Sequence, residues 1–196
     1  MVHELNGVSC LELEQIAPKK NILSSKSFGK TVTDLSVLEE ALANYTARAA
    51  EKLRHQKSKA KGISVFIRTN PFRGQDSQYR QSISHGFITP TNDTGEMIST
   101  ARKLLGSIFK TGYRYHKCGI MLLDLISEDY NQHDLFASKP TKDNMALMQT
   151  IDSLNRKMGK DTLFHASQGT KRDWRMKCDK RSNRYTTSWD ELLEVE

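Results

Sequence analysis

From residue 22 onward, apolar positions along the chain switch between a period of two and a period near 3.6, and the switches outline one domain. Ile22 to Val32 reads as a first strand, but its Ser24-Ser25-Lys26-Ser27 run is too polar for a strand buried on both sides, so one face must be wet. Ser36 and Glu39 have capping-box spacing, in which each side chain satisfies an orphan amide, and Leu38, Leu42, Tyr45, Ala49 and Leu53 follow at helical spacing. These positions predict a long amphipathic helix to about His55. After Gly62, Ile63, Val65 and Ile67 alternate with Ser64, Phe66 and Arg68, the pattern of a half-buried strand. Asn70-Pro71-Phe72-Arg73-Gly74 breaks that strand, and a weaker one over Gln81 to Ile88 is ended by Pro90.

Asp93, with Glu96 three residues on, opens a second helix whose stripe of Met97, Ala101, Leu104 and Ile108 stops before Gly112. His116 to Ile126 completes the series as a strongly apolar strand. The order strand, helix, strand, strand, helix, strand predicts an α+β fold: a four-stranded, mainly antiparallel sheet with two helices on one face (β-α-β-β-α-β) and the other face uncovered. Ahead of it, Pro18-Lys19-Lys20 reads as an extended connector. Behind it, residues 127–142 are polar and turn-rich, Asp143 to Met158 has the period of a third helix closed by Gly159, and Asp161 to Glu196 carries both tryptophans.

Charge sharpens this picture. The 196 residues hold 30 Lys and Arg against 23 Asp and Glu, a net charge of +7 and a pI near 9.3, which favours an acidic partner. No run approaches the roughly 20 apolar residues of a membrane helix, and the start lacks the features of a signal peptide, so a cytoplasmic protein with no membrane partner is expected. Cys10, Cys118 and Cys178 are too scattered for a disulfide framework or a zinc site. The six histidines also lack metal-ligand spacing and receive no chemistry here. A Walker loop, a nucleophile elbow and clustered carboxylates for two-metal chemistry are all missing; Asp124 and Asp129 make a poor pair, and Asp152 is expected to face solvent.

Two features could bind a partner. Lys52, Arg54, Lys57, Lys59, Lys61, Arg68 and Arg73 form a positive stretch with no acid between Glu51 and Asp76, although a helix C-terminus favours such cations in any case. Strand alternation places Ser64, Phe66 and Arg68 on the uncovered sheet face, joined by Ser25, Lys26 and Ser27 of the first strand and Lys117 of the last. Hydroxyls and cations of this kind suit phosphate oxygens and read no bases. The alternatives are an ordinary solvated face or a single-strand RNA platform, but the aromatic pattern of the latter is missing. In the linker, Gln132-His133-Asp134-Leu135-Phe136 sets two large apolar residues where no core awaits them, so they either tuck locally or anchor in a partner's pocket.

In Lys26-Ser27-Phe28-Gly29, Tyr45 to Arg54, Gly112 to Ile120, Gln132 to Phe136, Gln168-Gly169 and Arg184-Tyr185-Thr186-Thr187, the chain resembles Y-family translesion DNA polymerases of the UmuC group. The resemblance implies a thumb remnant and linker over 1–22, a DNA-binding little-finger domain over 23–126, a linker with a clamp-binding peptide over 127–142, and a small α/β extension over 143–196. It implies DNA, the beta sliding clamp, a processed UmuD-like dimer and a RecA filament as partners, in error-prone SOS repair. Within that peptide Gln132, Asp134, Leu135 and Phe136 would meet the clamp, while His133 replaces the usual leucine and should weaken the contact by about 1 kcal/mol. The family's palm, with its metal-binding carboxylates, precedes the region matched here, so no catalytic residue and no cofactor is expected in this chain; magnesium would belong to the palm. A standalone regulatory protein competing for clamp or DNA is the alternative reading.

Overall fold

In a computed structural model of the protein, which describes residues 2–8, 19–129, 144–176 and 182–192, one antiparallel sheet carries two long helices. A short helix, α1 (Val2–Leu5), precedes β1 (Ile22–Val32), α2 (Leu35–His55), β2 (Ser58–Thr69), β3 (Arg80–Thr91), α3 (Thr94–Ile108), β4 (Tyr115–Ser127) and α4 (Met145–Met158). The strands run in the order β1-β4-β2-β3, and every neighbouring pair is antiparallel. The predicted α+β architecture is therefore present.

Alternation decides which face is buried. Ile63, Val65 and Ile67 of β2 and Cys118, Ile120 and Leu122 of β4 point toward the helices and are fully buried. Leu38, Leu42 and Leu53 of α2 and Met97 and Leu105 of α3 close over them in one continuous core. Burying side chains of this size stabilises a fold by about 1.5–3 kcal/mol each. Tyr115 is also fully buried; its hydroxyl donates to Lys110 O at 2.9 Å and accepts from Lys110 N at 3.0 Å, tying the start of β4 to the segment after α3.

Several boundaries differ from the sequence pattern. Ser36 and Glu39 do not form a capping box: α2 starts at Leu35, the N-cap is Asp34, and no side chain caps the end. Glu39 instead accepts from Arg102 of α3 at 2.5 Å, so an inter-helix ion pair outcompetes the local cap. Asp93 does cap α3, accepting from Glu96 N at 2.7 Å. β2 begins at Ser58 rather than after Gly62, because Ser58 and Ala60 pair with Ser127 and Leu125 of β4. Pro90 lies inside β3, which is tolerated because β3 is an edge strand with no neighbour to receive the missing N–H.

α4 and the described residues that follow it dock on α2, away from the open sheet face. Trp174 is 5% exposed and packs edge-on against Phe28 and Tyr45, with centroids 6.3 and 5.6 Å away. Its indole nitrogen donates to Glu40 at 2.9 Å, and its carbonyl accepts from Gly29 N at 3.1 Å. A Cβ on Gly29 would lie 2.7 Å from Arg175 O, so this crossing needs glycine. Asp152, expected at the solvent, is a correction: its carboxylate takes two bonds from Arg54, at 2.7 and 2.8 Å, while Arg54 also donates to Asn92 O and Thr94 Oγ1. Among the described residues the extension contains α4 and two short 3-10 turns but no strand, so the strand part of the expected α/β extension has no counterpart there.

Candidate nucleic-acid interface

The uncovered sheet face is ordered by register. Directly opposed residues on neighbouring strands share a face, with Cβ atoms about 4.5–5.5 Å apart. The pairs Ser27 with Lys117, Lys117 with Arg68, and Arg68 with Arg80 thus make one row across all four strands, a hydroxyl followed by three cations. The next row is Ser25, Gly119, Phe66 and Ser82, and the one after it Leu23, Met121, Ser64 and Ser84.

Among the residues singled out from the sequence, Ser25, Ser27, Ser64, Arg68 and Lys117 stand on this face. Lys26 does not. It pairs with Cys118, whose side chain is buried under the helices, so the pleat sends Lys26 to the helix side, where it is exposed at the sheet edge. Ser64 is on the open face yet only 8% exposed, and its hydroxyl donates to Ile83 O at 3.4 Å, which leaves it a minor role at most in contacting a ligand. Phe66 is half-buried against Gly119, where a Cβ would come within 2.8 Å of its ring; it fills the space above a glycine.

The positive stretch read along the chain divides in space. Lys57 and Arg68 sit at opposite ends of β2, separated by eleven residue steps, about 36 Å at 3.3 Å per residue. Arg54 is committed to Asp152, and Lys52 lies on the far side of the domain from the row, beside α4. In their place the register recruits Arg80, and the hairpin end keeps Arg73 of that stretch and adds Arg114 and His116; Arg80, Arg114 and His116 were not assigned to the interface from the sequence. An in-register pairing partner for Arg68 would have been the only signal for Arg80, and it requires knowing the length of the β2–β3 turn.

Electrostatics at this end agree with the geometry. Arg68 pairs with Lys117 and Thr69 with Tyr115, so His116 is the extra residue of a bulge. Burial and the cations Arg68, Arg73 and Lys117 hold its imidazole below the ordinary histidine value. The Arg68 Nε is buried with no hydrogen-bond partner among the described residues. Asp76 is the acid of this end, 3.6 Å from Arg114 and 3.9 Å from Arg73. Among the described residues no group of three His, Cys, Asp or Glu side chains is placed to hold a metal ion, and no helix is long and apolar enough to cross a membrane.

An antiparallel sheet with one face under helices and the other presenting a cationic row defines a protein that can dock an extended polyanion. Comparison with known proteins places it further: the model of the impB/mucB/samB family C-terminal domain matches residues 19–135, and the chain belongs to that family. Residues 145–195 match a second model, a domain of unknown function (DUF4113). Over 196 residues the chain is 43% identical to Protein UmuC of Salmonella typhimurium, covering 99% of this chain and 46% of the relative. It is 37% identical to Protein ImpB of Salmonella typhimurium over 193 residues, 97% of this chain and 45% of that protein. The chain therefore spans about half the length of the curated relatives it matches. Among solved structures, a complex of the beta-clamp processivity factor and the little finger domain of PolIV aligns at 15% identity over 59% of this chain and 98% of that one, with a TM-score of 0.41. A DinB family error prone DNA polymerase from Sulfolobus solfataricus aligns at 12% identity over 64% of this chain and 35% of that one, with a TM-score of 0.46.

Proposed function

We propose that this chain is the DNA-gripping and clamp-tethering part of an error-prone translesion DNA polymerase of the UmuC type, and that the open sheet face takes the phosphate backbone without reading sequence. The observation that supports this most is the row Lys117, Arg68 and Arg80. Like charges directly opposed in a sheet destabilise it, and a phosphate strand laid along the row turns that repulsion into attraction. Ser25 and Ser27 supply hydroxyl donors beside it. Catalysis, with its magnesium, belongs in this reading to the family's palm, outside these 196 residues.

The clamp peptide, Gln132, Asp134, Leu135 and Phe136, lies outside the described residues. Its flanks are held close together: Glu128 accepts from Asn92 Nδ2 at 3.2 Å, and Asn144 Nδ2 donates to Asp93 at 3.0 Å. Its role as the tether to the beta sliding clamp is proposed from the family resemblance. The processed UmuD-like dimer and the RecA filament remain partners proposed by family resemblance, with no residues assigned. The DNA reading is tested by titrating fluorescent duplexes of unrelated sequence across a range of salt. Equal affinity across sequences with a steep fall in salt is expected, and salt-independent binding would reject it.

A further inference from the structure

Phe72 is 94% exposed at the tip of the β2–β3 loop. Solvated rings on slack loops mean little, but this loop is organised. Thr69 N donates to Tyr79 O at 2.9 Å to close it, and the Gln78 amide nitrogen reaches the carbonyls of Asn70, Arg73 and Asp76 at 3.1, 2.9 and 3.0 Å. Thr69 Oγ1 donates to Gln78 Oε1 at 2.8 Å, and Phe72 N donates to the Asn70 side chain at 3.0 Å. At the base, the Tyr79 hydroxyl donates to Ile108 O at 2.8 Å and its ring lies 4.8 Å from that of Tyr113, pinning the hairpin to the end of α3. The ring is thus held in water by a network that contributes nothing to burying it.

Its surroundings identify what would cover it. The loop grows directly from the paired Arg68 and Arg80, and Arg73 and Arg114 beside it have side chains 52% exposed. An apolar protein pocket would have to desolvate these guanidinium groups, whereas a nucleic acid supplies phosphates for them and a flat base for the ring. We propose that Phe72 stacks on an unpaired base of the bound DNA, as a contact beyond the phosphate row; this rests on the sheet-face reading of DNA binding. The cationic row would hold the strand while the rigid tip takes the base where the duplex gives way to single strand.

The test uses the full 196-residue chain with two DNA probes, a blunt duplex and the same duplex carrying a single-stranded overhang. Phe72→Ala and Phe72→Leu should each weaken overhang binding on the order of tenfold, the loss expected for one base stack. Both should leave blunt-duplex affinity and the salt slope nearly unchanged, and Phe72→Trp should retain wild-type affinity. Because the Phe72 ring is 94% exposed, an unchanged thermal unfolding midpoint is expected for all three. Unchanged overhang binding by Phe72→Ala, with Arg68→Ala/Lys117→Ala still weakening both probes, would overturn the stacking proposal alone. Equal loss on the two probes would also overturn it, since no unpaired base would be involved. If the double variant binds both probes like wild type, the sheet-face reading itself fails and the proposal with it.

Discussion

Arg68 of β2 and Lys117 of β4 are directly opposed on the uncovered face of the sheet, and Arg80 of β3 continues the same row. Like charges directly opposed in a sheet are destabilising, so the row costs folding stability unless an anion answers it. Replacing Arg68 or Lys117 by alanine should therefore weaken DNA binding for every sequence alike. Each removal should lower the slope of log affinity against log salt by about 1. Thermal stability should not fall for Lys117→Ala, which fluorescence-monitored melting will check.

His116 offers a pH readout of the same site. Its imidazole is held below the ordinary value by burial and by Arg68, Arg73 and Lys117, so the free protein disfavours its proton. Phosphates beside those cations would restore it, and binding would take up a proton. DNA affinity is expected to rise as the pH falls from above the ordinary histidine value toward its depressed value in the free protein. His116→Gln should flatten that rise, and an NMR titration should show the His116 pKa moving up on adding DNA.

His165, on the docked extension, works in the opposite sense on stability. Burial and the Arg54 charge lower its pKa, against the pull of Asp93. The unfolded chain then binds the extra proton, so the contribution of His165 is complete above its ordinary value and is lost as the pH falls toward the depressed one. Urea midpoints should be higher at pH 7.5 than at pH 5.5, and His165→Gln should reduce the difference.

The extension should be integral to the domain. Trp174→Ala removes a ring packed on Phe28 and Tyr45 together with the bond to Glu40, and a loss of about 3 kcal/mol or more is expected in denaturant unfolding. Asp152→Ala strands Arg54, whose side chain is 9% exposed, and should cost a similar amount, about 3 kcal/mol. DNA binding at saturating protein should survive in both variants, because neither residue stands on the open sheet face.

For the tether, Leu135→Ala/Phe136→Ala should abolish capture on immobilised beta sliding clamp while leaving DNA affinity unchanged. Restoring leucine at His133 should strengthen capture several-fold, following the roughly 1 kcal/mol assigned to that position.

Much of the fold was legible because it follows from local period. Alternation in Ile63-Ser64-Val65-Phe66-Ile67-Arg68 and helical spacing from Leu38 to Leu53 each need only a short run of neighbouring residues, and β1 occupies Ile22–Val32 as its pattern predicts. Alternation also placed Arg68 and Lys117 on the open face. Lys26 was misplaced because the Ser24-Ser25-Lys26-Ser27 run shows no apolar alternation, and only its pairing with Cys118 reveals which way it points. Arg80 and Asp152 were missed for the same kind of reason: one acquires its place from a hairpin register, the other from a docked helix.

The sequence by itself determined the elements, their order and the overall positive charge, since propensity, period and composition are properties of short stretches or of simple sums. Which cations stand together was decided only by the tertiary structure. Arg68, Arg80 and Lys117 are far apart along the chain and meet because strand pairing sets residues from different strands side by side, while Arg54, nearer to Arg68 in sequence than Lys117 is, is drawn to the other side of the domain to hold α4.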